Sequence, residues 1–164
     1  KNWGKKLVQD FETNPDYGII GKAGSCYFPE SGIYWERMTQ TMVGQVYHHP
    51  KDSKKWINKY SPKLPFLIPV VTVDGLFISF DKTKIKHGFD ESIGKFHYYD
   101  HPFCLANYLD GIKIGVTSSF EITHESWVKR SALSHLGADS ILQFTSNQLL
   151  GGEWHQYLTG ENRS

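Results

Sequence analysis

Between Pro102 and the Asp110-Gly111 pair the chain has room for one short helix, and chemistry dictates both of its ends. Proline is tolerated at a helix's first position, because the N–H it lacks would have no partner there. An Asp-Gly pair stops a helix, because glycine adopts the left-handed turn at little cost. Beyond the stop, Ile112 to Val116 alternates like a strand. The residues just ahead of Pro102 are therefore held at the edge of a sheet. Among them is Asp100, at the end of an aromatic run of Phe96, His97, Tyr98 and Tyr99. A carboxylate beside a helix N-terminus is favoured in its ionised form by the aligned peptide dipoles. It can cap the helix, with Asp100 or His101 at the N-cap, and it can serve as a general base.

The rest of the chain reads as mixed α and β without a repeat. Trp3, Leu7, Val8 and Phe11 recur at helical spacing with Lys5, Lys6 and Asp10 between them, which predicts an amphipathic helix. Asn14-Pro15-Asp16 ends it, and Tyr17 to Lys22 is expected as a strand. Gly24 to Gly32 reads as a loop, with Tyr27, Phe28, Tyr34 and Trp35 in or beside it. Met42 to His48 is a second apolar run. Pro50 to Pro65 is the most loop-like segment, with at most a helical turn near Trp56, Ile57 and Tyr60. Leu67 to Phe80 suggests two strands about a hairpin-type turn at Asp74-Gly75. Lys82 to His87 is expected as a short helix before the turn at Gly88, and Ser119 to Thr123 as a strand ending at His124. The fold class expected is α/β, a mixed sheet with flanking helices. Past residue 126 the pattern changes to short apolar groups among turn signals. Residues 1–126 are thus expected as one domain and residues 127–164 as an extension packed on it.

Composition narrows the function classes. A chain of 164 residues, 39% hydrophobic and 15% aromatic, can bury a core of its own. A net charge of +1 lacks the basic excess that phosphate-backbone binding requires, so no nucleic-acid partner is expected. The longest apolar stretch, Leu64 to Val73, is interrupted by Pro65 and Pro69 and falls short of the roughly 20 residues that span a bilayer. Cys26 and Cys104 are too few for a disulfide framework and read as ordinary free thiols, Cys104 packing on the buried side of its helix. A cytoplasmic location, the inner face of the membrane included, is the expectation.

These residues also carry a resemblance. Gly88-Phe89-Asp90-Glu91, then Tyr99-Asp100, Phe103-Cys104-Leu105, Asp110-Gly111-Ile112-Lys113-Ile114-Gly115-Val116 and finally His124 stand in an order that resembles the C-terminal half of GT-A glycosyltransferases of the family-2 type. The run Phe96 to Asp100 is similar to the bacterial subset called StrF-like. So are Tyr17 to Gly24, Ser31 to Trp35, Val43 to His48 and Val73 to Phe77. The resemblance covers roughly residues 1–126, and its specificity lies in the shared order of motifs that are individually weak. There are departures. No Asp-X-Asp occurs, and no opening strand or Gly-rich loop precedes the first helix, so the donor-binding N-terminal half is expected to be absent. Ala106 stands where the family's helix carries arginine, Pro102 replaces an acid, and Tyr99 occupies the place of a glutamate.

The resemblance implies transfer of a sugar from a nucleotide-diphosphate donor to a hydroxyl of a glycan or protein acceptor. Asp100 matches the family's catalytic aspartate and would take the proton. His124 matches a late metal-binding histidine, implying Mn2+ or Mg2+; imidazole suits Mn2+ better, since Mg2+ prefers oxygen. Trp35, Asp74, Gly75, Asp90, Glu91 and Tyr99 would lie toward the acceptor, although Asp90 and Glu91 also read as a plain turn. Two other classes stay open. His97, Asp100, His101 and His124 could form the metal site of a hydrolase, although their spacing matches no established ligand motif. The aromatic content also suits a non-catalytic carbohydrate-binding or interaction module. The role of His48-His49 is not legible.

Overall fold

Two β-sheets alternate along the chain, which twice crosses from one to the other through a single residue. The structure is a computed structural model, and it describes residues 2–28, 39–49, 54–90 and 99–124. Helix α1 (Trp3–Thr13) leads into β1 (Tyr17–Gly21) and, across Lys22, β2 (Ala23–Ser25). A short 3-10 turn at Thr39–Thr41 precedes β3 (Met42–His48) and β4 (Trp56–Lys59). Then come β5 (Ile68–Val70), β6 (Thr72–Val73), β7 (Ile78–Phe80), helix α2 (Asp100–Leu109), β8 (Lys113–Val116) and β9 (Thr123–His124). The first sheet has the order β5-β8-β1-β7; the second runs β4-β3-β2-β6, with β9 added beside β3. Pairing is mixed: β1 is parallel to β8 and antiparallel to β7, and β3 is antiparallel to β4 and parallel to β9. The α/β expectation holds at this level.

The core lies between α2 and the two sheets. Ile19, Val43, Val70, Val73, Phe103, Cys104, Ile114 and Val116 form its buried cluster. The α2 face carrying His101, Phe103, Cys104, Leu105 and Asn107 is buried. Burial pushes the Cys104 thiol up to about 12, so it packs as an inert small group. Asn107 is the polar exception. Its Oδ1 accepts the N–H groups of Lys86 (2.8 Å) and His87 (3.2 Å), and its Nδ2 donates to the carbonyls of His87 and Phe103. One buried amide thus ties residues 86–87 to the helix, and with them the approach to Phe89-Asp90. The Phe89 ring stacks on Phe103 at 4.3 Å and lies 6.0 Å from Tyr99.

Several elements differ from the sequence expectations. Trp56–Lys59, expected as loop, is a strand paired with β3 from Gln45↔Lys59 to His48↔Trp56. Residues 82–87 form one turn and no helix: the Asp81 carboxylate takes the N–H and hydroxyl of Thr83, and Lys84 and Ile85 donate to the Asp81 carbonyl. The Asp74-Gly75 turn does not close a hairpin, because β6 pairs with β2 while β7 pairs with β1. Helix α1 has the expected periodicity, yet none of its residues is buried and Val8 is 57% exposed. It is held by Trp3, which meets Phe77 edge-on at 5.9 Å, and by Asp10, whose Oδ2 accepts the hydroxyls of Thr117 (2.7 Å) and Ser119 (2.6 Å). The α2 stop is as expected, with Gly111 at φ +85.

Candidate functional site

Asp100 begins α2 from within its first turn, with Tyr99 at the N-cap and no side-chain cap bond. The carboxylate therefore does not cap its own helix in the usual way. Its Oδ2 accepts the backbone N–H of Gly75 at 2.7 Å, and its Oδ1 accepts that of His101 at 3.1 Å. The side chain is 13% exposed. These two bonds to backbone amides fix the position of the carboxylate. Each oxygen keeps a further lone pair for an incoming proton donor.

The Asp74-Gly75 turn is the other half of the arrangement. Leu76 N–H donates to Asp74 Oδ1 at 2.8 Å, which fixes that carboxylate to its own turn. The Tyr99 hydroxyl donates to the Gly75 carbonyl at 3.1 Å. Burial pushes the Tyr99 phenol up, and the Asp100 and Asp74 charges add to it, so the hydroxyl stays a donor. A Cβ at residue 75 would stand 2.5 Å from the Tyr99 hydroxyl and 3.2 Å from Asp100 Oδ2. Only a residue without a side chain lets the turn sit this close. Four of the residues expected at the site, Asp74, Gly75, Tyr99 and Asp100, thus form one contiguous group.

His101 is behind this group, fully buried, with Nδ1 3.2 Å from Asp100 Oδ1 and its ring edge-on to Phe28 at 5.6 Å. Burial pushes its pKa down against the opposing pull of Asp100 and Asp74, which leaves a neutral imidazole at physiological pH. Asp90 is exposed, next to the anchored Phe89. Trp35, Glu91 and His97 lie outside the described residues, as do residues 127–164.

His124 is elsewhere in contact. It pairs in register with His48, their ring centroids 5.5 Å apart. His48 in turn stacks on Trp56 at 4.9 Å with an interplanar angle of 14°, and its Nε2 lies 3.2 Å from Asn58 Nδ2. Burial and then the neighbouring His124 push the His48 pKa down, with Asp74 opposing. The Asp74 charge is thus felt by both His48 and His101.

Two residues that sequence reasoning passed over also shape the region. Lys22 is 4% exposed, and its ammonium donates to the carbonyls of Thr117 (2.7 Å) and Phe120 (2.5 Å) and sits over the Phe120 ring. It fixes the segment leading to His124. Trp56 was hidden by the loop-like composition around it, although Trp56-X-Asn58-X-Tyr60 carries the two-residue period of a strand. As for metal, no three His, Cys, Asp or Glu side chains among the described residues are arranged to hold an ion. These residues alone do not fit the Mn2+ or Mg2+ that the sequence suggests.

No helix among the described residues is long and apolar enough to cross a membrane. Among curated proteins the chain finds no match. Residues 1–138 match the model of a family described as a glycosyltransferase-like family.

Proposed function

This chain belongs to the glycosyltransferase-like family, and on that premise we propose that it works as a transferase whose general base is Asp100. The donor is a nucleoside-diphosphate sugar and the acceptor a hydroxyl. As that hydroxyl oxygen bonds to the anomeric carbon, its proton passes to Asp100 and the nucleoside diphosphate departs with the electrons of the broken bond between the anomeric carbon and the phosphate oxygen. General-base assistance of this kind contributes on the order of 10²–10⁴-fold. Asp74, Gly75, Tyr99 and Asp90 serve the acceptor side. His124 remains a candidate metal ligand, with no step of the transfer assigned to it.

The observation that supports this reading is the mounting of Asp100: a carboxylate in a helix's first turn, held by the Gly75 and His101 amides, with lone pairs to spare. Preorganised positioning of this sort is what proton transfer in a transition state needs. The test is substitution in the intact protein, with nucleoside diphosphate release as the readout. Asp100→Asn keeps size and shape but presents an NH2 group to one of the two amides, at a stability cost of about 1 kcal/mol. Turnover is expected to fall at least about a hundredfold with donor affinity nearly unchanged. Asp90→Asn should be milder. Equal losses in the two variants would mean that the base is another carboxylate.

A further inference from the structure

The register of β4, β3 and β9 puts three flat rings side by side. Trp56 pairs across from His48, and His48 pairs across from His124. Cross-strand partners project from the same face of a sheet, so Trp56, His48 and His124 form a row. Trp56 ends the row and is 45% exposed. It borders a cleft of about 420 Å³ lined by Tyr47, His48, His49, Lys55, Trp56 and Thr123, among others. That volume lies within the usual range for small-ligand sites. One face of the indole is covered by the stacked His48 ring. The Asn58 amide approaches His48 Nε2, and His48 Nδ1 has no hydrogen-bond partner among the described residues.

We propose that this cleft is a carbohydrate subsite, in which a pyranose ring of the acceptor stacks on the open face of Trp56. A pyranose is amphipathic: axial C–H groups make one face apolar, and the hydroxyls ring its edge. The cleft has the matching form, an apolar plate in a lining that also holds the polar residues His49 and Lys55. A nucleoside diphosphate would also offer a flat base to the indole. It would however bring a diphosphate to a cleft where Lys55 is the one permanent cation among the described lining residues, whereas phosphate sites converge several donors. The turn that holds Asp100 is tied to the same sheet as the row of rings, because Asp74 N–H donates to the Ala23 carbonyl and Ala23 pairs with Gly44 of β3. The proposal rests on the transferase reading in taking the sugar to be the acceptor's, and it makes the acceptor a glycan.

Binding can be tested apart from turnover by following the indole N–H resonances of the 164-residue chain labelled at its tryptophans. The probes are methyl pyranosides of gluco, galacto, manno and rhamno configuration, with uridine diphosphate as the contrast. At least one pyranoside should shift the Trp56 resonance in a saturable way. Followed by calorimetry, which needs no indole, Trp56→Ala should weaken that binding roughly tenfold, the scale of one aromatic contact, whereas Trp56→Phe should keep most of it. Asp100→Asn should leave the binding intact, which separates failure of the subsite from failure of the base. No pyranoside response at Trp56, sugar binding undiminished in Trp56→Ala, or a stronger Trp56 response to uridine diphosphate would each overturn the proposal.

Discussion

At the scale of single residues, Gly75 decides how Asp100 is held. It donates its N–H to the carboxylate, accepts the Tyr99 hydroxyl and leaves no room for a methyl group between them. Gly75→Ala should therefore displace Tyr99 or the carboxylate by several tenths of an ångström or more. Turnover should drop about tenfold or further, since misplacement of a catalytic group on this scale is costly. The thermal midpoint should fall by only a few degrees, a change of roughly 1 kcal/mol. A Gly75→Ala enzyme with wild-type turnover would show that the turn does not position the base. The residue scale is also where the sequence was most legible. Pro102 and Gly111 announced α2, and Asp100 was singled out by standing ahead of them. What it could not reveal was the partner: the Gly75 amide is 25 residues away, and nothing local distinguishes a carboxylate that caps its own helix from one that reaches across to another turn.

At the scale of elements, Lys22 shows how a buried cation links the β1–β2 junction to the segment before β9. Burial pushes its amine down to about 8 from an ordinary 10.5; Lys63 adds to the shift, while Glu121 and Asp10 oppose it. The unfolded chain then holds more protons than the folded one between about pH 8 and pH 10.5, so stability contributed by this site rises with pH across that window. Below it the amine is charged in both states and the site contributes no slope. Urea unfolding midpoints of the wild type, measured against Lys22→Met, should therefore climb from about pH 8 to about pH 10. Parallel profiles for the two proteins would count against the buried ammonium. Elements were read well where period and punctuation agreed, as in β1 and α2. They were misread where a side chain took over the backbone's hydrogen bonds, as Asp81 does with Thr83, or where pairing was distant. β4 lies in a stretch bounded by Pro50 and Pro65, and its strand character is set by β3 across from it. The two strands flanking Asp74-Gly75 leave for different sheets, a choice that no adjacent residue encodes.

For the whole molecule, the α/β class and the family both followed from order along the chain, while the site is assembled from segments far apart in it. One prediction belongs to this scale. With no three-ligand arrangement among the described residues, this chain by itself should bind Mn2+ weakly, without the stoichiometric heat of a formed site. Tight one-to-one binding in calorimetry would show that ligands outside the described residues complete one. The junction at Lys22 carries a last consequence. A strand advances about 3.3 Å per residue, and that single step is all that separates the sheet bearing β1 from the sheet bearing β2. Val71, between β5 and β6, makes a second such crossing between the same two sheets, and two plates joined at two separate points cannot swing like the covers of a book. Any gating around a substrate then falls to the turns and connecting segments, and the plates themselves act as a stiff chassis.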